Sequence, residues 1–485
     1  MIRIWFIFFL LFFSYLQAIS QIRFNKLYDY NSFANYVTDV IVVKAGGYLM
    51  VSPSFNPFQN DTLGYSITTL NFIRTDINGD TLWTKQYRKK GYYLLGSNIL
   101  ETDSGFLFMG SETDLKNGTK SYLIQWKLNF MGDTIATKQM NILPGNDYAM
   151  EIIKTIDNGY AVIGQACHLV NNCDYYLLKL DSLGNKQWHQ TYAQTATTFE
   201  YPESLIQMAD GSFYLFGTSA ISGIGVQFLV KTDSNGQKKW QKKYNNFPQQ
   251  GGLSILAIDS INLLCIGAYE NTNINRITKG MLIKIDTSGT QIWIKSYGDS
   301  TSCQFANGTK DINGNVGLTG LMTNFDTLGT YCGCLLKINS AGDSLFQRAY
   351  NFGPSFPEAL YSIKSTNDWY IMAGYSLAGI TQDACLVKVD TFGCLIPGCQ
   401  TVGIPNIRFN IDPVNIFPNP ANEYLNLSHS EKIVSYRMAD MLGRIVMESR
   451  FLEEPIDIKE LKTGAYIIQV MLSNGSQGFG RFVKE

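Results

Sequence analysis

Histidine is scarce in this chain: there are three in 485 residues, His168, His189 and His429. That argues against histidine-based catalytic triads and histidine-rich metal centres. An excess of either charge is missing too, since 39 basic and 40 acidic residues leave a formal charge of −1. Nucleic-acid binding needs a basic stripe for the phosphates, so no nucleic acid is expected as a partner. Charged residues make up only 16% against 45% hydrophobic, the balance of a chain that buries a large core. The nine cysteines contain no Cys-x-x-Cys pair, and their odd number leaves at least one thiol free or bonded between molecules. No useful window carries a 3.6-residue hydrophobic period, which excludes helical solenoids. No nucleophile–base arrangement or phosphate-cradling loop is visible, and no cofactor or metal is expected.

One apolar run does exist, at the N-terminus. Arg3 precedes an apolar stretch from Ile4 to Leu16, broken only by Ser14, and Ala18-Ile19-Ser20 forms a small-residue cleavage site before Gln21. Those 13 residues fall short of the ~20 needed to span a bilayer. Residues 1–20 therefore read as a signal peptide. No cysteine lies near the cut, so a lipid anchor is not expected, and no other segment of the mature chain is long and apolar enough to span a membrane.

What is abundant is glycine, 43 residues, and aromatics, 13%, the composition of strands joined by tight turns. The glycines mark a period. Gly79, Gly132, Gly184, Gly236, Gly289, Gly342 and Gly393 follow one another at intervals of 51–53 residues. Each sits in a turn after an apolar run ending in Asp or Asn, as in Phe228 to Asp233 and Met281 to Asp286. Within one period four short strand-like runs succeed one another: near Trp188, from Leu205, from Phe213 and from Phe228. Four antiparallel strands in about 52 residues make a propeller blade, and seven periods predict seven blades.

After five of these turns comes an aromatic and, four residues on, a tyrosine, as in Trp240 and Tyr244 or Trp293 and Tyr297. Residues i, i+2 and i+4 share one face of a strand. Packing between blades, worth up to roughly 4–6 kcal/mol per Trp by buried area, explains this pair better than a ligand-stacking row does. The first such strand, Phe24 to Tyr28, has no blade before it, and the last blade, ending at Gly393, has no such strand after it. The N-terminal strand should close the ring and leave no open edge.

The Asp-x-x-Gly-x-x-x-Trp turn resembles that of quinoprotein-type propellers and, more distantly, the Asp box of sialidases. The likeness concerns turn chemistry over about eight residues per blade. It brings no quinone cofactor and no glycosidase residue. A sharper resemblance covers residues 416–485. Phe417-Pro418-Asn419-Pro420, Asp440-Met441-Leu442-Gly443-Arg444, and Leu461 to Tyr466 with Gly464 occur in order. They resemble the type A C-terminal sorting domain of type IX secretion. The resemblance implies export across the outer membrane by the type IX secretion machinery, to the cell surface or the medium. Alternating strands at Tyr424–Leu427, Ile445–Glu448 and Tyr466–Met471 predict a small β-sandwich there.

The expected fold is thus all-β: a seven-bladed β-propeller over residues 21–393, a linker over 394–413 and a C-terminal secretion domain over 414–485. In the oxidising exterior, Cys394 can pair with Cys399 and Cys167 with Cys173. Cys332 and Cys334 are too close in sequence for an unstrained mutual bond. Asp76-Ile77-Asn78-Gly79-Asp80 offers alternating oxygens like part of a calcium loop but lacks the later Glu, and reads as a blade turn. Asp-Ser/Thr-apolar triplets, among them Asp80-Thr81-Leu82, Asp133-Thr134-Ile135, Asp181-Ser182-Leu183 and Asp343-Ser344-Leu345, resemble the O-glycosylation triplet of bacteria with this secretion system. The same positions are where the blade turn favours Asp.

Strands labelled a to d from the axis outward carry short turns between a and b and between c and d. The connections b–c, such as Ser52 to Gly64 and Leu321 to Gly333, and d–a, such as Arg88 to Ser97, are read as long. Antiparallel order gathers the long ones on one face, and loops carry function on a rigid scaffold. That face is expected to hold Tyr92, Tyr93, Tyr148, Phe199, Tyr201, Phe305 and Phe356 as ligand-binding aromatics, with Glu200, Glu203 and Glu358 as candidate acids. The function read from this is a secreted or cell-surface binding or adhesion protein taking a glycan or protein ligand. The alternatives are a carbohydrate-active enzyme on the same scaffold or a surface-layer component.

Overall fold

A computed structural model describes residues 23–30, 34–60, 64, 66–116, 120–169, 172–193, 198–221, 223–247, 249–271, 277–298, 302–323, 331–350, 358–378, 381–396, 399, 412–440, 445–449, 454–473 and 477–485. The signal-peptide residues, most of the linker, Phe356, Gly443 and Arg444 lie outside them. The chain divides into two compact units, Met1–Gly398 and Cys399–Glu485.

The first unit is a seven-bladed propeller of four-stranded antiparallel sheets. Blade 1 runs Asp39–Val42, Tyr48–Asn60, Ser66–Thr75 and Thr81–Tyr87, as strands a to d. Blades 2 to 6 repeat this, their a strands being Tyr92–Thr102, Asp147–Lys154, Phe199–Gln207, Gln250–Ala257 and Cys303–Lys310. Blade 7 comprises Glu358–Ser365, Trp369–Ala378 and Thr381–Asp390, and its strand d is Phe24–Tyr28, paired antiparallel from Phe24↔Lys388 to Tyr28↔Ala384. Each a strand packs against the a strands of both neighbours, and that of blade 7 meets that of blade 1. The ring is closed by the N-terminal strand.

Seven buried apolar clusters hold the unit together, each lying between two adjacent blades. Leu49, Val51, Leu70 and Phe72 of blade 1 interlock with Leu94, Ile99, Phe106 and Phe108 of blade 2. A sheet buried on both faces needs such continuous apolar runs. At the rim, each aromatic–tyrosine pair clasps the next blade. The hydroxyls of Tyr28, Tyr87, Tyr192, Tyr244, Tyr297 and Tyr350 donate to the carbonyls of Gly79, Gly132, Gly236, Gly289, Gly342 and Gly393 at 2.6–2.9 Å. Blade 2 has Met140 at this position, and Lys138 Nζ reaches Gly184 O instead, at 3.3 Å. Gly289 shows why the turn residue is glycine: its φ is +77°, and an added Cβ would lie 2.7 Å from the Trp240 ring. The turn's Asp or Asn is equally committed. Asp286 Oδ1 accepts from the amides of Ser288 and Thr290 at 2.8 and 2.9 Å, and Asp76 Oδ1 from those of Asn78 and Asp80, both at 2.8 Å. The oxygen that would bind calcium in that loop instead holds the turn.

The b–c connections are shorter than the sequence implied. Strand b of blade 1 continues through Asn60, and in blade 3 strands Tyr160–Leu169 and Asn172–Leu180 leave two residues between them. Cys167 and Cys173 face each other across that hairpin and are joined by a disulfide. Cys394 and Cys399 are also disulfide-bonded. Cys265, Cys303, Cys332, Cys334 and Cys385 are buried and outside the disulfides.

The second unit is a small β-sandwich. One sheet orders Asp412–Pro413, Gln477–Lys484, Gly464–Leu472, Ile433–Asp440 and Ile445–Ser449; the other contains Asn415–Phe417, Tyr424–Ser428 and Ile456–Asp457. Leu425, Leu427, Met438, Ile468 and Phe482 form the core. Asn419, between Pro418 and Pro420, donates to Arg481 O and accepts from Val483 N, both at 3.0 Å, so the Pro-Asn-Pro segment pins the last strand. Asp440 pairs with Tyr466 across two strands. The Tyr466 hydroxyl donates to Lys462 O at 2.6 Å, closing the turn before Gly464.

Candidate functional site at the propeller axis

The a strands carry a feature that periodicity alone does not reveal. In blades 2 to 7 each has a β-bulge at the same place, inserting Ser97, Met150, Glu203, Leu253, Ala306 and Tyr361. A bulge re-aims a side chain out of the ladder. The residue after each bulge is aligned around the ring, and several of these side chains accept a backbone N–H from the next blade. Glu151 Oε2 takes Leu205 N at 2.6 Å, Ser204 Oγ takes Ile255 N at 3.2 Å, Ser362 Oγ takes Val40 N at 3.4 Å, and Asp39 Oδ2 takes Ile99 N at 3.2 Å. This polar belt joins blades around the axis.

Charge gathers on the belt. Glu151 of blade 3 feels both Lys364 of blade 7 and Asp39 of blade 1. These blades are not its neighbours, so the groups face one another across a central lumen. Lys364 Nζ lies 3.6 Å from Asp39 Oδ1. Enclosure pushes the Glu151 carboxyl up to about 7; the Leu205 amide and Lys364 oppose that shift. Glu203 is raised further, to about 8, by desolvation and then by the neighbouring Glu151 charge. Glu203 keeps part of its surface exposed, and its charge also acts on the buried Tyr175 hydroxyl between blades 3 and 4. Among the described residues no hydrogen-bond donor reaches it.

At the level of the bulges, on the face of the b–c and d–a connections, a cavity of about 500 Å³ opens, lined by Tyr36, Thr38, Tyr361, Tyr375 and Gln382. The rings of Tyr361 and Tyr375 are 5.7 Å apart. Burial pushes the Tyr36 hydroxyl up to about 12, with Tyr93 adding to the shift, so the phenols stay neutral donors. Tyr93 continues the cluster to Phe55, with ring centroids 6.2 Å apart.

The expected aromatics divide. Tyr93 belongs to this axial cluster. Phe199 and Tyr201 pair at 4.6 Å on blade 4, with Tyr201 45% exposed. Tyr92 lies beneath Lys89 and Lys116, whose ammonium groups sit 3.7 and 4.5 Å from its ring, and its hydroxyl bonds Asp114. The Tyr148 hydroxyl accepts from Ser121 Oγ at 3.0 Å. Phe305 must be corrected: it is fully buried between blades 5 and 6, edge-on to Tyr297, because it precedes the bulge and points into the core. Glu200 and Glu358 are corrected likewise. Both are buried under strand b, accepting from Ser219 and Ser376 at 3.4 and 3.2 Å. Their structural counterpart Asp147 accepts the Ile142 amide at 2.8 Å. Tyr36, Thr38, Tyr361, Tyr375, Gln382, Asp39, Glu151 and Lys364 were not anticipated. Leu360-Tyr361-Ser362 reads as ordinary strand until the partner register exposes the bulge.

The opposite, short-turn face is apolar at its tips. Ile77, Met131, Ile135, Leu183, Ile292 and Phe392 are each at least half exposed.

Residues 415–485 match the model of the secretion system C-terminal sorting domain. No curated protein matches the chain. Solved structures of similar fold include the β-propeller domain of the Trilobed protease from Pyrococcus furiosus (9% identity, 74% of this chain and 98% of that one, TM-score 0.43). YCF48 from Cyanidioschyzon merolae gives 9% identity, 75% and 98% coverage, and a TM-score of 0.43. Virginiamycin B lyase from Staphylococcus aureus, crystallised as an inactive variant with quinupristin, gives 9% identity, 76% and 100% coverage, and 0.44.

Proposed function

Starting from a chain whose residues 415–485 are a sorting domain, and which is therefore exported across the outer membrane to the cell surface or the medium, we propose that its propeller is a binding protein that captures an extracellular ligand, glycan or protein, at the axial cavity. The observation that carries this reading is the convergence of Tyr36, Tyr361 and Tyr375 with Thr38 and Gln382 around that cavity. Ligand sites are concave, largely aromatic and equipped with a few polar groups. Here blade 7 and the segment leading into blade 1 supply all five lining residues from a rigid frame.

Glu151 and Glu203 form a carboxylate pair, the feature expected of a glycoside hydrolase. Their environment speaks against that chemistry. A retaining or inverting mechanism needs one carboxylate ionised as nucleophile or base while the other is protonated. Glu151 already spends one carboxylate oxygen on the Leu205 amide of the next blade, so it serves the belt that joins the blades instead of standing free as nucleophile or base. A second binding reading rests on the exposed apolar tips of the short-turn face, which suit a protein partner.

The test is a glycan and surface-protein array probed with residues 21–395. Tyr361→Ala and Tyr375→Ala should each weaken the captured ligand at least tenfold with the melting temperature unchanged. Binding that survives both changes and is lost on Ile135→Asp or Leu183→Asp would move the site to the other face.

A further inference from the structure

We propose that the cleft between blades 2 and 3, on the short-turn face, is a receptor for a tryptophan side chain presented by a partner protein. This site is separate from the axial cavity and does not depend on it.

Six of the seven blades fill the corresponding place from within. In blades 1 and 3 to 7 the aromatic ring of strand d lies 2.5–2.9 Å from where a Cβ would stand on the turn glycine of the next blade, as Trp188 does on Gly236 and Trp240 on Gly289. Blade 2 has Ala136 in the place of the ring and Met140 in that of the tyrosine. Gly184 is therefore the one turn glycine of the seven that meets no ring.

A cavity of about 310 Å³ opens there, and Gly184 and Tyr160 both line it. These are the two groups that a ring at position 136 would touch. One blade on, Trp188 lies on Gly236 and edge-on to Phe213, with ring centroids 6.5 Å apart, and Tyr160 opens strand b of blade 3 as Phe213 opens that of blade 4. Leu107 and Leu128 of blade 2 line the other side, while Ile135 and Leu183 line it with more than half of their surface exposed. The other blades thus show which occupant suits the cleft: a flat aromatic ring seated on the glycine, which buries a large apolar area at this apolar wall.

Gln125 narrows the choice of ring. It sits in strand c opposite Lys138, where Leu177 sits opposite Gln190 and Leu229 opposite Lys242. A leucine or phenylalanine holds this position in every other blade. Gln125 is 1% exposed, and its amide lies against Gly184, on the side where the other glycines meet a ring. Neither its nitrogen nor its oxygen has a hydrogen-bond partner among the described residues. A buried amide left in that state costs free energy, which an incoming donor recovers. The indole N–H is a donor carried by the ring itself, and Gln125 Oε1 is an acceptor. A phenyl ring fills the same space without that bond.

The experiment is a ligand-observed NMR titration of the full chain with Nα-acetyl-tryptophan amide and Nα-acetyl-phenylalanine amide. Wild type should bind the tryptophan compound roughly three- to tenfold more tightly than the phenylalanine compound, and Gln125→Leu should level the two. Ala136→Trp supplies the ring from within, so it should abolish binding of both and raise the melting temperature by at least about 2 °C. Should that single variant fold poorly, Ala136→Trp with Gln125→Leu repeats the Trp188 and Leu177 of blade 3 and should give the same two results. Tyr361→Ala should leave the tryptophan titration unchanged. Equal affinity of wild type for the two compounds, or no binding of either, overturns the assignment. Undiminished binding to the variants filled at position 136, or a double variant less stable than wild type, overturns it as well, because no ring-sized place would then exist between the blades. Loss of tryptophan binding in Tyr361→Ala would put the ring at the axis and overturn it too.

Discussion

At the residue scale the propeller repeats one device at its rim, a tyrosine hydroxyl on the carbonyl of the next blade's turn glycine. Tyr244→Phe keeps the ring and removes only the bond to Gly289 O, so the cost should be about 1–2 kcal/mol, the penalty of one buried carbonyl left unpaired. Gly289→Ala should cost more, because the residue would need φ near +77° with its Cβ against Trp240. Denaturant titration of the two variants gives the order. Equal losses, or a Tyr244→Phe variant as stable as wild type, would contradict the clasp. The rim was legible in the sequence, since aromatic, tyrosine and glycine recur at fixed spacing and alternation fixes their shared face. The axial acids were not. Glu200 and Glu203 look alike three residues apart, yet the first is buried under strand b and the second is the partly exposed residue of the bulge.

Glu203 and Glu151 also carry a pH dependence of stability. Their carboxyls are raised in the folded state, so the folded protein binds protons that the unfolded chain, titrating near 4.5, has released. Stability from this pair is greatest below about pH 4.5 and is lost as pH rises through 7 to 8. The melting temperature should therefore fall between pH 5.5 and 8.5, and fall less in Glu203→Gln. A variant with the wild-type slope would show that Glu203 is not enclosed as described.

At the scale of elements, the closing strand is the piece with most at stake. Phe24–Tyr28 supplies strand d of blade 7, and Phe24 and Tyr28 enter the core between blades 7 and 1. Removing residues 21–30 exposes the edge of Thr381–Asp390, and bare edges recruit other chains. The deletion should melt markedly lower and self-associate in sedimentation velocity. A monomer with wild-type stability would contradict ring closure by this strand. Its place was readable because a count of strands left one surplus at the start and one deficit at the end. The bulges were unreadable for the converse reason: a bulge is a relation between two strands, and Ala149-Met150-Glu151 carries no local mark of it. Connection lengths were misjudged where polar strand ends such as Ser52 to Asn60 resemble loop, since outer strand segments need no apolar run.

At the scale of the whole molecule, the two units divide the work. The sorting domain is a sandwich whose Asn419 holds the last strand through Arg481 and Val483, and deletion of residues 412–485 should leave a folded propeller trapped in the periplasm. Normal amounts of truncated protein in the medium or at the surface would refute the role of this segment in export. The propeller offers two candidate faces, an aromatic axial cavity and a ring of apolar turn tips, and only one of them can be the principal ligand site. Hydrogen–deuterium exchange of the propeller with and without its array-selected ligand separates them in one measurement. The account predicts slowed exchange at residues 34–38, 358–363 and 375–378, with the turns at 76–80, 129–133 and 181–185 unchanged. Protection confined to those turns, with the axial strands unaffected, would contradict it.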